Sequence, residues 1–185
     1  KLFQFSEKAR GDFQKTVKEI RSSPAQKIIL DLRNNPGGFL EVAVDIAEWF
    51  LERGEVVLVE DFGSKQDPQE YKTRGNPRLL EYPLVVLINE GSASASEILA
   101  GALRDNRQIL LIGEKSFGKG SVQELEYLRD QSSLKITVAK WLTPKGDLIT
   151  EKGLEPNIKV ELTEEDRADE KDPQLDKAIE TVNNL

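Results

Sequence analysis

The chain has 185 residues, enough for one domain or for one domain with a short appendage. Its formal charge of −7, from 33 acidic and 26 basic residues, leaves no basic stripe to hold a nucleic acid. It contains no histidine or cysteine, which excludes imidazole and thiol catalysis, disulfides and zinc-thiolate sites; its acids are scattered, so no metal site is expected.

A chain that opens at Lys1 and holds no methionine is expected to be a piece of a longer product. It has no apolar run of membrane-spanning length, no internal repeat and no low-complexity tract; no stretch of it reads as a signal peptide, and a piece does not show what its parent carried.

In chain order, Leu2 to Phe5 reads as the tail of a strand. Glu7 to Ser22 reads as a helix, with Phe13, Val17 and Ile20 near helical spacing, ended by Ser22-Ser23-Pro24. Lys27 to Leu32 is an almost continuous apolar strand, as in a sheet covered on both faces. Asn34-Asn35-Pro36-Gly37-Gly38 is a tight turn, and Phe39 to Leu51 a helix with Val42, Ala43, Ile46, Ala47 and Phe50 on one face. Glu55 to Val59 is a strand, and Asp61 to Arg78 a polar loop or ragged hairpin. Leu84 to Ile88 is a buried strand, Ala95 to about Arg104 a helix, and Gln108 to Ile112 another strand. Ser121–Leu128 and Leu134–Leu142 form a hairpin turned by Asp130-Gln131-Ser132-Ser133. Strand and helix alternate over the first two-thirds, which gives an α/β class. Residues 1–160 read as the core, 161–173 as an acidic solvated connector, and 174–185 as a final amphipathic helix that docks on the core through Leu175, Ala178, Ile179 and Val182.

Chemistry concentrates in three glycine- or serine-rich turns. Asn89 to Glu97 runs strand, small-residue turn, helix, a recurrent way to present a nucleophile. Ser94 with Glu97 also fits a capping box, S-x-x-E, in which the serine only caps the helix. Ser92, Ser94 and Ser96 all compete for the nucleophile role. A capping serine sits beside free N–H groups at the positive end of a helix, and the Ala95 N–H is a natural oxyanion donor. Gly37 or Gly38, at the C-terminal end of the earlier strand, could aim a second N–H at the same oxyanion.

Gly113 to Lys119 matches G-x-x-x-x-G-K, the opening of a nucleotide-binding P-loop. Gly120 stands where Ser or Thr would hold magnesium, and the segment after it alternates like a strand, so no nucleotide or other cofactor is expected. Without histidine or cysteine, a hydrolase here needs lysine or a carboxylate as its base. Lys119 lies between two glycines, close to Phe117, which could dry its ammonium; burial lowers a lysine pKa from ~10.4 and frees its amine to accept a proton. Lys115 is the other lysine of this loop.

Together these stretches resemble the C-terminal processing peptidases, or tail-specific proteases, a family of serine-lysine endopeptidases. The matching pieces are Asp31 to Gly38, Val86 to Asn89, Gly91 to Leu103, Ile112 to Glu114, Phe117 to Gly120 with Gln123, Leu142 to Gly146, and Gly153 to Pro156. The resemblance implies a Clp peptidase–crotonase-like α/β core with a C-terminal β-hairpin and final helix. It implies Ser94 as nucleophile, Lys119 as general base and Gln123 as the glutamine that orients the amine. Ala95 N–H and a glycine N–H, from Gly37 or Gly38, would form the oxyanion hole. Asp105 matches a family acid, taken as structural. The substrates implied are proteins with apolar C-terminal tails, in the bacterial periplasm or cell envelope or a thylakoid lumen; homo-oligomerisation is left open. The family normally carries a PDZ domain ahead of this region; nothing here reads as one, so it is expected to have been lost or removed upstream of Lys1, leaving an inactive or poorly active core. Ser116 and Asn157 replace the usual threonine and aspartate, and both are expected to stand apart from the chemistry. The same fold also hosts a non-proteolytic alternative, an apolar-ligand-binding module.

Overall fold

The computed structural model describes residues 1–75, 77–128, 130 and 132–185. Among them, two four-stranded sheets share the chain. The first is parallel and contains β1 (Ile28–Asp31), β4 (Leu84–Ile88), β5 (Leu110–Gly113) and β8 (Ile158–Lys159), in that order. The second is antiparallel, in the order β3 (Gln69–Lys72), β2 (Val56–Asp61), β7 (Ser133–Leu142) and β6 (Ser121–Tyr127). Five helices complete the described chain: α1 (Glu7–Ser22), α2 (Leu40–Ala47), α3 (Ala95–Arg107), α4 (Glu164–Ala168) and α5 (Pro173–Asn183).

Every residue of β4 is buried, and the two-residue period of a strand explains how. Leu84, Val86 and Ile88 join the main core with Phe5, Val42, Ile46, Phe50, Ile98 and Leu99. Val85 and Leu87 face the other way and pack with Ile112 against Ala178 and Val182 of α5. A strand covered on both faces reads as one unbroken apolar run, and α5 supplies the second cover. The helix is latched at both ends: Arg33, just after β1, holds Asp172 at its N-terminus, and Lys27, just before β1, donates to the carbonyls of Val182 and Asn183 at 2.9 and 2.9 Å.

Helix α3 is buried along nearly its whole length, from Ala95 to Leu103. Its polar exceptions are partnered. Asp105 accepts from Arg104 Nε at 2.7 Å and from the Lys145 amide at 3.0 Å, which pins the turn after β7. This is the structural role expected of that acid.

Several expectations are corrected. Residues 2–5 form no strand: they make an isolated bridge, Phe5 to Gly38, and a backbone hydrogen bond from Leu2 to Asp31 at 3.0 Å. The helix expected over 39–51 stops at Ala47 and continues as turns. The connector contains α4, opened by Thr163, whose hydroxyl accepts from the Asp166 amide at 3.1 Å. The ragged hairpin is β2 with β3. Asn76 of that loop and Gln131 of the expected hairpin turn lie outside the described residues.

The latch at Asp172 carries a pH dependence. Hydrogen bonds from Arg33 hold the Asp172 carboxyl below its ordinary value of 3.8. Burial pushes Asp31 up, but its bonds to Arg33 outweigh that and leave it below 3.8 as well. Groups lowered in the folded state contribute their stability above the unfolded value and lose it as pH falls through the folded one. Thermal melts should therefore hold steady from pH 7 to about pH 5 and fall steeply below about pH 4, with Asp172→Asn showing a shallower acid fall.

Candidate active site

Strands β1, β4 and β5 are parallel neighbours, so the turns at their C-terminal ends emerge side by side on one edge. Because β4 lies between the other two, its turn is flanked by the Asn34–Gly38 turn on one side and the Gly113–Gly120 loop on the other. Paired amides staple the first two. The Asn34 N–H donates to Asn89 Oδ1 at 2.8 Å, and Asn89 Nδ2 donates to Asn34 Oδ1 at 3.0 Å. The Ala93 N–H donates to the Asn35 carbonyl at 3.0 Å.

The three competing serines separate at once. Ser92 is fully buried; its hydroxyl donates to the Leu32 carbonyl at 2.9 Å and accepts from the Asn89 N–H at 3.0 Å. Ser96 is also fully buried and donates to the Asn35 carbonyl at 2.9 Å. Both hydroxyls fasten the β4 turn to the β1 turn. Ser94 alone of the three is partly exposed, and its backbone stands at φ 57°, ψ −118°. A serine there is strained by about 1–3 kcal/mol, a condition concentrated at functional turns.

Glu97, 1 % exposed on the first turn of α3, holds this geometry. Its Oε2 accepts from the Ser94 N–H at 2.8 Å and from the Lys119 N–H at 3.0 Å. Its Oε1 accepts from the Ser116 hydroxyl at 2.5 Å and from the Gly118 N–H at 2.7 Å. The backbone nitrogens of Ser94 and Lys119 meet on one oxygen, so they are closer together than the sum of those two bonds. The Glu97 N–H itself donates to the Ser94 carbonyl at 2.9 Å. Glu97 thus makes its half of the capping box by accepting from the Ser94 N–H, but the same acid also reaches across to the lysine loop, which spacing within one helix does not reveal.

Ser116 was expected to stand apart from the chemistry, and the structure corrects that. Its buried hydroxyl bridges Glu97 and the Leu154 N–H, the latter at 2.7 Å. Asn157 does stand apart, accepting from the Leu111 N–H at 2.9 Å beside β5. Lys115 forms an exposed ion pair with Glu155 at 2.9 Å. Lys119 is exposed, and Phe117, exposed to 67 %, does not bury it as expected; Phe117 is held instead by its N–H on the Ser92 carbonyl at 3.0 Å. Gln123 is exposed at a register shift in β6. The residues after Gly120 form β6, not a helix, so the loop is no P-loop.

Gly37 presses on the serine. A Cβ built there would lie 2.6 Å from the Ala93 carbonyl oxygen, 2.7 Å from Ser94 Cβ and 2.9 Å from the Ala95 nitrogen, and its φ of 94° suits glycine. The Gly37 N–H is already engaged by Asn35 Oδ1 at 2.9 Å. The bridge to Phe5 uses the Gly37 carbonyl and the Phe39 N–H, so the Gly38 N–H stands outside it.

The fold is an α/β core of the Clp peptidase–crotonase type, and residues 1–160 match peptidase family S41. The chain belongs to that family. It is 45 % identical over 166 residues to a carboxy-terminal-processing protease of Bartonella bacilliformis, a match covering 87 % of this chain and 38 % of that protein. It is 42 % identical over 158 residues to the chloroplastic carboxyl-terminal-processing peptidase 3 of Arabidopsis thaliana, covering 85 % of this chain and 30 % of the relative. Among solved structures it resembles a photosystem II D1 C-terminal processing protease, with a TM-score of 0.79 and 36 % identity, over 86 % of this chain and 41 % of that one. The chain thus spans well under half the length of these relatives.

Gly37→Ala should destabilise the fold by about 2 kcal/mol or more, since it combines backbone strain with three close contacts. Chemical denaturation of the variant against the parent chain measures this directly.

Proposed function

We propose that this chain is the catalytic core of a carboxy-terminal-processing serine endopeptidase, with Ser94 as nucleophile and Lys119 as general base. The observation that carries the reading is the sorting of the serines: Ser92 and Ser96 are consumed as fasteners, while the strained, accessible Ser94 shares Glu97 with the Lys119 backbone.

In this mechanism Ser94 Oγ attacks the scissile carbonyl and gives its proton to the neutral Lys119 amine. The oxyanion is met by the Ala95 N–H and the Gly38 N–H, the first-turn glycine whose donor is uncommitted to Asn35 or to the Phe5 bridge. The protonated lysine then delivers its proton to the leaving amine, and an acyl-enzyme remains. Water, deprotonated by the same amine, releases the acid and restores Ser94. Gln123 orients the amine. Lys119 is exposed in the free chain, so docked substrate is what covers it.

Apolar C-terminal tails are the proposed substrates. Phe39, on the residue after the first turn, and Phe117, in the lysine loop, are 53 % and 67 % exposed on the two sides of the serine turn and offer apolar contact to them. The setting proposed is extracytoplasmic; no helix among the described residues is long and apolar enough to cross a membrane. Residues 1–160 serve as the core and the C-terminal helix as its cover.

Ser94→Ala and Lys119→Ala should each lower kcat/KM on an unstructured, apolar-tailed peptide by roughly 100-fold or more. A fluorophosphonate should modify Ser94, identified by mass spectrometry. Undiminished cleavage by Lys119→Ala would remove the lysine from the mechanism. Tight binding of an apolar ligand without labelling of Ser94 would favour the non-proteolytic module.

A further inference from the structure

Arg33 sits one residue before the first turn, 8 % exposed, with every donor of its guanidinium committed. Nε and Nη2 donate to the two oxygens of Asp31, each at 3.0 Å. Nη1 and Nη2 donate to the two oxygens of Asp172 at 2.7 and 2.8 Å, and Nη1 also donates to Gln174 Oε1 at 3.0 Å. Gln174 is fully buried and passes the connection on: its Nε2 donates to Glu114 Oε2 at 3.0 Å and to the Val160 carbonyl at 2.9 Å. Glu114 stands between β5 and Lys119, with its N–H on the Ile88 carbonyl at 3.1 Å.

The first turn of α5 therefore touches both flanks of the serine turn. On one side it holds the residue that leads into Gly37 and Gly38; on the other it holds the root of the lysine loop. Apolar burial of Ala178 and Val182 is enough to keep a helix on a sheet, but it is non-directional and tolerates sliding. Bidentate guanidinium–carboxylate pairs are directional and fix geometry as well as adding energy. Lysine could not substitute, since it lacks the planar fork that serves two carboxylates at once. Asp172 and α5 also lie beyond the residues matched to the peptidase family.

We propose that the start of α5 is a latch that fixes the spacing between the oxyanion turn and the lysine loop, with Arg33, Asp172 and Gln174 as positioning residues. The latch rests on the serine-lysine reading for its effect on rate, but not for its effect on the two loops.

The test uses the whole chain carrying Asp172→Asn and Gln174→Leu together. Asparagine caps a helix as well as aspartate does, so the helix start survives while the charge is lost. At saturating fluorophosphonate the rate of Ser94 modification should fall by roughly tenfold or more, while the half-saturating concentration changes less than about twofold. Amide hydrogen exchange should quicken at residues 34–38 and 114–119 and stay unchanged in α1, on the other face of the sheet. A lower melting temperature with unchanged labelling and unchanged exchange at both loops would reduce α5 to a cover and overturn the latch. If the double variant does not fold, Asp172→Asn alone should slow labelling by roughly threefold with the same exchange pattern, and wild-type behaviour in that variant overturns the proposal. If the parent chain is never labelled at Ser94, the serine-lysine reading fails, and the exchange comparison alone decides the latch.

Discussion

The Glu97 carboxylate is the constraint on which the candidate site depends. It is almost fully buried and accepts from four donors, one from the serine turn and three from the lysine loop. Burying a lone carboxylate is costly, and hydrogen bonds to a charged acceptor, at about 1.5–3 kcal/mol each, offset that cost only when the set is complete. The net gain in stability is therefore modest. The gain in geometry is large, because the serine turn cannot shift without pulling on the loop that carries Lys119.

The parallel sheet sets the spacing that this carboxylate refines. Its strands lie side by side, so three turns distant in sequence share one edge. The buried serines and the Asn34–Asn89 pair then fasten the first two turns together, and Gly37 lets them approach until its missing side chain would overlap the serine. Each part is local chemistry of an ordinary kind. The site arises because sheet order brings these parts into register.

Most of the fold was legible in the sequence because its elements are strongly patterned. Leu84–Ile88 is too apolar to be anything but buried, and Glu7–Ser22 has helical spacing and a clear stop. What stayed illegible depended on partners far along the chain. The choice among three serines turns on carbonyls 60 and 61 residues away, at Leu32 and Asn35. Ser116 reaches Glu97 across 19 residues and so looked peripheral. Glu97 itself was visible only as a capping acid; its place on a helix buried on every side was the clue that it needed more than one donor. Strand β8 is two residues long, and α4 carries charges on nearly every position, so neither gave a periodic signal. The drying of Lys119 by Phe117 was expected from adjacency alone, and adjacency did not decide where the ring points.

Arg33 and Asp172 are separated by 139 residues, and their ion pair ties α5 to the sheet that carries the serine turn. During synthesis the nascent chain exposes the serine turn and the glycine loop long before Asp172 leaves the ribosome. The two partners can therefore meet only after both turns, and everything between them, have been made.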